Sequence, residues 1–280
     1  MPTPRFAVNC STLLADRPIP DRLEAVRAAG FEAVEFWWPF ATATPTNTDV
    51  DAFVTAVRAS GLTLIGLNLF AGDLPGGDRG VVSWPGREAE LRASVDVAAG
   101  IGAALGCRSF NALYGNRLAG HDPAHQDDVA AGNLAYAATR LASIGATVLI
   151  EPVSGVDAYP LRTADDAVAV IDRVTARTGR GNLDLLLDVY HLAVNGDDVE
   201  AAIRRHRERI AHVQVADAPG RGAPGTGDLP LRSWVAQLLD TGYDGWFALE
   251  HVSTDPDPFA WRDAWLAAWG TARHEEDNPA

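Results

Sequence analysis

Short runs rich in Val, Ile, Leu and Phe alternate along the chain with longer, Ala-rich stretches in which apolar residues recur every three or four positions. The first pattern suits strands buried on both faces, and the second suits helices that lay one face on a core. Strands are predicted at Phe6–Asn9, Ala33–Phe36, Thr63–Asn68, Arg108–Asn111, Thr147–Glu151, Leu183–Asp188, Ile210–Val215 and Trp246–Glu250. Helices are predicted at Pro20–Ala29, Val50–Ser60, Arg87–Leu105, Pro123–Ser143, Ala164–Arg177, Val199–Arg207, Leu231–Thr241 and Pro258–Trp269. Several helices end one residue before a glycine, as at Gly61 and Gly106, where a left-handed cap costs least.

Eight strands, each followed by a helix and with no linker-like break between them, fit one (β/α)8 TIM barrel better than a doubly wound sheet. The barrel is expected over residues 1–272, and the acidic, aperiodic remainder, 273–280, is expected to fray. A length of 280 residues, 47% of them hydrophobic, supports one large core.

Charge then narrows the function. With 23 Lys+Arg against 37 Asp+Glu, the net charge is −14 and no basic run offsets it, so neither a nucleic-acid backbone nor an anionic membrane is an expected partner. The Met1–Arg5 start leads directly into a short apolar run without a signal-peptide core, and no stretch reaches the roughly 18 apolar residues of a membrane helix. A soluble, cytoplasmic protein is expected. Cys10 and Cys107 are too few for a disulfide framework and read as buried thiols in a reducing compartment.

Barrel enzymes build their sites at the carboxyl ends of the strands. Here those ends are Asn9, Trp37, Asn68, Asn111, Glu151, Asp188, Gln214 and Glu250. Asn9, Asn68 and Asn111 read equally well as polar residues marking a strand's exit from the core. The last four are different. Thr147–Glu151 and Asp184–Asp188 each close an apolar run on a carboxylate, a costly place for a charge without a compensating cation or donors. Gln214 and Glu250 repeat the arrangement on the next two strands, so four consecutive strand ends bring three carboxylates and an amide to one mouth. An all-oxygen set of this kind suits one hard divalent ion, Mg²⁺ or Mn²⁺, better than Zn²⁺.

The runs Asn68–Asp73, Arg79-Gly80, Pro85–Glu88, Ile150–Pro152, Asp188–His191 and Pro219–Asp228 resemble those of hydroxypyruvate isomerases, a family of xylose isomerase-like barrels. The resemblance covers nearly the whole chain and is most specific in its second half. It implies interconversion of hydroxypyruvate and tartronate semialdehyde (2-hydroxy-3-oxopropanoate), with Glu151 and Glu250 as proton donor and acceptor around a divalent metal held by Glu151, Asp188, Gln214 and Glu250. Phe70 stands where the family usually has proline, and Leu113-Tyr114-Gly115-Asn116 where a glycine followed by lysine is common. The same family includes isomerases of 2-oxo-tetronates, one carbon longer, which these motifs do not separate.

An acidic substrate needs positive groups in an acidic protein. His191, three residues after Asp188, and Arg221, in the loop after the seventh strand, are the expected substrate-binding residues, with Asn68 and His212 completing the set. His212 shares its strand face with Gln214, so an interior or supporting role is the alternative. The glycines of Gly225-Thr226-Gly227 offer backbone N–H groups to an anion, and Glu35 reads as either a pocket residue or part of a supporting ion pair. Phe36–Phe40 reads as rim packing, a contact between copies in a homo-oligomer, or a wall that keeps water from the reaction. Two competing enzyme functions are a ketose 3-epimerase, whose relatives usually place histidine where Gln214 stands, and an apurinic endonuclease, which the charge of −14 disfavours. A sugar-acid binding protein without turnover is the non-enzyme alternative.

Overall fold

The computed structural model describes residues 2–276. Its strands are β1 (Phe6–Asn9), β2 (Ala33–Phe36), β3 (Thr63–Asn68), β4 (Ser109–Asn111), β5 (Thr147–Ile150), β6 (Leu183–Asp188), β7 (Ile210–Val215) and β8 (Phe247–Leu249). Each pairs in parallel with the next, and β8 returns to β1 through Phe6 with Phe247 and Val8 with Leu249, closing the barrel. The helices are α1 (Ile19–Ala28), α2 (Asn47–Ser60), α3 (Glu88–Leu105), α4 (Pro123–Ala142), α5 (Ala164–Thr178), α6 (Val189–Asn195), α7 (Val199–His206), α8 (Leu231–Asp240) and α9 (Arg262–Glu276). Among the described residues no helix is long and apolar enough to cross a membrane.

Two of these elements depart from expectation. Helix α6 is additional, and it starts on the residue that ends β6: the Asp188 carboxylate accepts from the N–H groups of Tyr190 and His191. Such N-capping satisfies donors that the first turn leaves without partners. The last helix begins at Arg262 rather than Pro258, because the Asp257 side chain accepts from Phe259 N–H and holds a turn there. Its backbone is helical through Glu276, so the expected frayed segment is helical over 273–276, while 277–280 lie outside the described residues.

The strands are buried along nearly their whole length and pack outward against the helices. At the amino end of β1, Phe6 meets Trp261 and Trp265 edge-on, at centroid distances of 5.6 and 5.2 Å. Cys10 and Cys107 are free thiols, and burial pushes both up to about 12.

The upper barrel interior is polar and centred on a hydrogen-bonded network around Glu35. Register sets Asn9 of β1 beside Glu35 of β2, and the Asn9 amide donates to Glu35 Oε1 at 2.8 Å. His212 Nε2 lies 2.6 Å from Glu35 Oε2, and the Gln214 amide donates to Oε1 at 2.7 Å. Gly66 on β3 makes room, since a Cβ there would stand 3.1 Å from Glu35 Oε2. Burial acts to raise the Glu35 carboxyl, but His212, by charge and hydrogen bond, together with Gln214 and Asn9, holds it below the usual range. A carboxylate with a lowered pKa stabilises the fold above its unfolded value near 4.5, and that contribution fades as pH falls through the folded value. Glu35→Gln should therefore cost about 1–3 kcal/mol at pH 7. In urea titrations the gap to wild type should narrow at acid pH, below about 4.5. A gap constant from pH 7 to 3 would show that Glu35 acts by shape rather than by charge.

Candidate active site

A cavity of about 440 Å³ opens at the carboxyl ends of the strands, lined among others by Trp37, Asn68, Arg79, Glu151, His191, Arg221 and Glu250. A hollow of about 550 Å³ between α1 and α2 is larger, but its one carboxylate, Asp49, is taken up in the Thr46 capping box of α2, so it offers no chemistry.

Each side chain in the cavity is set by its strand end. Glu151 follows β5, and its Oε2 accepts from Asn111 Nδ2 at the end of β4, at 2.6 Å. Among the described residues its Oε1 accepts no side-chain or backbone hydrogen bond, and His191 Nε2 stands 3.9 Å away. Glu250 follows β8 and is held on both oxygens. Trp37 Nε1 donates to Oε1 at 2.6 Å, Asn9 reaches the same atom at 3.2 Å, and Arg221 donates to Oε2 at 2.8 Å. Asp188 uses Oδ1 to cap α6 and leaves Oδ2, fully buried, without a hydrogen-bond partner, Arg221 Nη2 standing 3.8 Å away. The Gln214 carbonyl oxygen is orphaned in the same way. His191, in the first turn of α6, points back toward β5, where Ser154 N–H donates to its Nδ1 at 3.1 Å.

The electrostatics follow from this burial. Burial first, then the neighbouring Glu250 and Asp188 charges, raise the Glu151 carboxyl well above its ordinary range. Burial likewise lifts Glu250 to about 7, against the lowering effect of Arg221, and raises Asp188. Three carboxyl groups thus share one guanidinium. Burial, helped by the charges of Arg221 and Arg79, drives His191 down to about 3, so the ring is neutral near pH 7.

Glu151, Asp188 and His191 offer ligand atoms within 4.8 Å of one another, a buried group able to hold a metal ion. Two buried oxygens without partners, on Asp188 and Gln214, beside two further carboxylates, match the appetite of a hard cation for oxygen. His191 fits that role less well. Its Nδ1 accepts a backbone N–H, so in the neutral ring the proton sits on Nε2, the nitrogen that faces Glu151 and Asp188. It is a donor there.

Of the residues singled out from the sequence, Glu151, Glu250, His191, Arg221 and Asn68 line the cavity, and Asp188 and Gln214 lie buried at its edge or beneath it. His212 does not line it; its outer nitrogen is taken by Glu35, which makes it a support below the site rather than a substrate contact. Nor do the N–H groups of the glycine loop serve a substrate anion. Gly225 and Leu229 donate to the buried Asp217 carboxylate, which pins the loop carrying Arg221. The aromatic run divides: Trp37 bonds Glu250, while Trp38 and Phe40 pack on each other and toward Phe70 and Phe53 at the rim. Arg79 in the cavity wall was not singled out, although the Arg79-Gly80 pair sits in a glycine-rich loop just after β3, where the barrel rule places chemistry.

Residues 23–269 match the family model of the xylose isomerase-like TIM barrel. A Streptomyces coelicolor protein named as a hydroxypyruvate isomerase is 48% identical over 272 residues, covering 96% of this chain and 97% of that one. The hydroxypyruvate isomerase of Escherichia coli is 31% identical, covering 88% of this chain and 93% of that one. A 2-oxo-tetronate isomerase of Cupriavidus necator is 34% identical, with 89% and 92% covered. Among solved structures, one described as a family 2 AP endonuclease from Brucella melitensis superposes with a TM-score of 0.84 at 32% identity, covering 95% of this chain and 98% of that one. Full-length similarity of this order, on a barrel whose mouth gathers Glu151, Asp188 and Glu250, places the chain in the hydroxypyruvate isomerase family of xylose isomerase-like TIM barrels, as an isomerase.

Proposed function

We propose that the protein interconverts hydroxypyruvate and tartronate semialdehyde through a cis-enediolate, with Glu151 and Glu250 moving the proton. The observation that carries this reading is the pair of buried carboxyls in one cavity of about 440 Å³, Glu151 raised well above its ordinary range and Glu250 lifted to about 7. Carboxyls tuned in this way exchange protons with carbon acids near neutral pH. In the forward direction a carboxylate removes a proton from C3, the proton of the C3 hydroxyl passes to the C2 oxygen, and C2 receives a proton. The result is an aldehyde at C3 and a hydroxyl at C2, with no net gain or loss of atoms.

Glu151 presents an open carboxyl oxygen to the cavity, whereas Glu250 is fixed by Trp37, Asn9 and Arg221. Neutral His191 presents Nε2–H toward the same space and would donate to a substrate oxygen. Glu151, Asp188, Gln214 and Glu250 would hold one divalent ion, Mg²⁺ or Mn²⁺, whose bound charge supplies Lewis acidity toward the substrate oxygens.

The C. necator relative supports a second substrate, a 2-oxo-tetronate, on the same chemistry. A nuclease reading, raised by the name of the Brucella structure, lacks the basic surface that a phosphodiester backbone demands at a net charge of −14.

Comparison of kcat/KM for hydroxypyruvate, tartronate semialdehyde and 2-oxo-tetronates tests the assignment, with the three-carbon pair expected to lead. No turnover of any of them by metal-loaded protein would refute it. Chelation should abolish activity and Mg²⁺ or Mn²⁺ should restore it. Glu151→Gln and Glu250→Gln should each lower kcat by roughly 10²–10⁴-fold. Arg221→Gln removes the cation that lowers Glu250, so that carboxyl rises further and the acid limb of the pH–rate profile moves to higher pH. An unmoved limb would mean that Glu250 is not the group it reports.

A further inference from the structure

A small 2-oxo acid brings a carboxylate into a cavity already crowded with carboxylates, and only a positive group not already committed to one of them can receive it. Three side chains in the lining are candidates. His191 is taken up on both nitrogens: Nδ1 accepts from Ser154 N–H, and Nε2 faces Glu151 and Asp188 at 3.9 and 3.7 Å. Arg221 is committed: its Nε donates to the Glu250 carbonyl oxygen at 2.9 Å, one Nη donates to Oε2 of the same residue at 2.8 Å, and Asp188 Oδ2 stands 3.8 Å away. Its backbone is fixed as well, at a φ of 56° in the left-handed region, with Val252 N–H on its carbonyl oxygen.

Arg79 differs on each count. Among the described residues no carboxylate lies within ion-pair distance of it, and its hydrogen bonds go from Nη1 to the carbonyl oxygens of Leu74 and Asp78, at 3.1 and 2.6 Å. Both acceptors are neutral, and Nε and Nη2 keep their donors free. Its position is set by the loop. Gly80 N–H donates to Ala71, and a Cβ on Gly80 would fall 1.9 Å from the Leu113 carbonyl oxygen, so the segment is pressed against the end of β4. Asn68, at the end of β3, lines the same cavity and is about nine-tenths buried, so its amide is at hand beside Arg79. In a closed barrel of eight strands, β3 stands across the mouth from β7, so this wall faces the Arg221 loop, with Glu151 two strands away after β5 and Glu250 three away after β8.

We propose that Arg79, together with Asn68, is the seat of the substrate carboxylate, and that Arg221 instead positions Glu250. A carboxylate held on the β3 side leaves C2 and C3 to extend into the cavity that Glu151 and Glu250 line. A planar guanidinium with two free donor nitrogens matches that anion in a two-pronged contact. The inference rests on the acidic substrate assigned above.

The test measures the Kd for tartronate, and KM and kcat for hydroxypyruvate, with wild type, Arg79→Gln, Arg79→Lys and Arg221→Gln, each checked by thermal melting. Arg79→Gln should raise Kd and KM about 10- to 100-fold and leave kcat within about threefold, because the anchor holds ground and transition states alike. Arg79→Lys keeps the charge but loses the fork, and should raise both several-fold; it carries the test if the Gln variant does not fold. Arg221→Gln should lower kcat and leave the tartronate Kd within about threefold. Unchanged Kd and KM in both Arg79 variants would overturn the assignment, as would a fall in kcat alone. Wild-type protein that binds tartronate through Arg79 yet turns over no hydroxypyruvate would refute the proposed substrate and keep the anion seat. Wild-type protein that does not bind tartronate would contradict both.

Discussion

Three carboxyl groups buried within one barrel mouth, balanced by a single guanidinium, are the constraint from which the rest of the site follows. Burial is the largest cause raising Glu151, Asp188 and Glu250; the charges of Glu250 and Asp188 raise Glu151 further, and that of Asp188 raises Glu250. A fold tolerates such a concentration of like charge only where something at the site requires it, because unpaired buried carboxylates otherwise protonate or destabilise the chain. The surrounding donors accordingly do different jobs. Asn111 orients Glu151, the backbone of α6 holds one oxygen of Asp188, and Trp37, Asn9 and Arg221 clamp Glu250. What these donors leave over, Oδ2 of Asp188 and the Gln214 carbonyl, is oxygen without a partner.

Beneath this layer the Glu35 network gives the site a rigid floor. One carboxylate ties Asn9, His212 and Gln214 together, and thereby links β1, β2 and β7 across the barrel interior. Asn9 and Gln214 belong to both layers, since Asn9 also reaches Glu250. The contrast between the layers is physical. Glu35 has a donor on every side and stays ionised below its ordinary value, whereas Glu151 has one and is pushed up.

The eight strands were legible because parallel barrel strands are apolar on both faces and end on polar residues; five of them, such as Leu183–Asp188 and Ile210–Val215, agree to the residue. The gathering of Glu151, Asp188, Gln214 and Glu250 at one end of the barrel was legible for the same reason, each closing or following an apolar run. Helix α6 was missed because at seven residues it is too short to show helical periodicity, although Asp188 as N-cap and Asn195-Gly196 as its end were both visible. Side-chain pairing was not legible. Whether Arg221 or Arg79 is free depends on contacts between loops distant in sequence, such as Arg221 with Glu250, and His212 looked like a cavity residue until Glu35, some 177 positions away, took its nitrogen. The two glycines around Thr226 suggested an anion site, and Gly225 N–H proved to serve the protein's own Asp217.

If the raised carboxyls exist to hold a divalent ion, binding must drive off the protons that burial and mutual repulsion retain. Calorimetric titration of Mn²⁺ into metal-free protein near pH 6.5, repeated in buffers of different ionisation enthalpy, reads that coupling directly. About one ion per chain should bind with release of protons, and Glu151→Gln should weaken binding and reduce the number released. Mn²⁺ that does not bind, or binds with no proton release and equally well to the Glu151→Gln protein, would contradict the view that the carboxylate cluster is a metal centre.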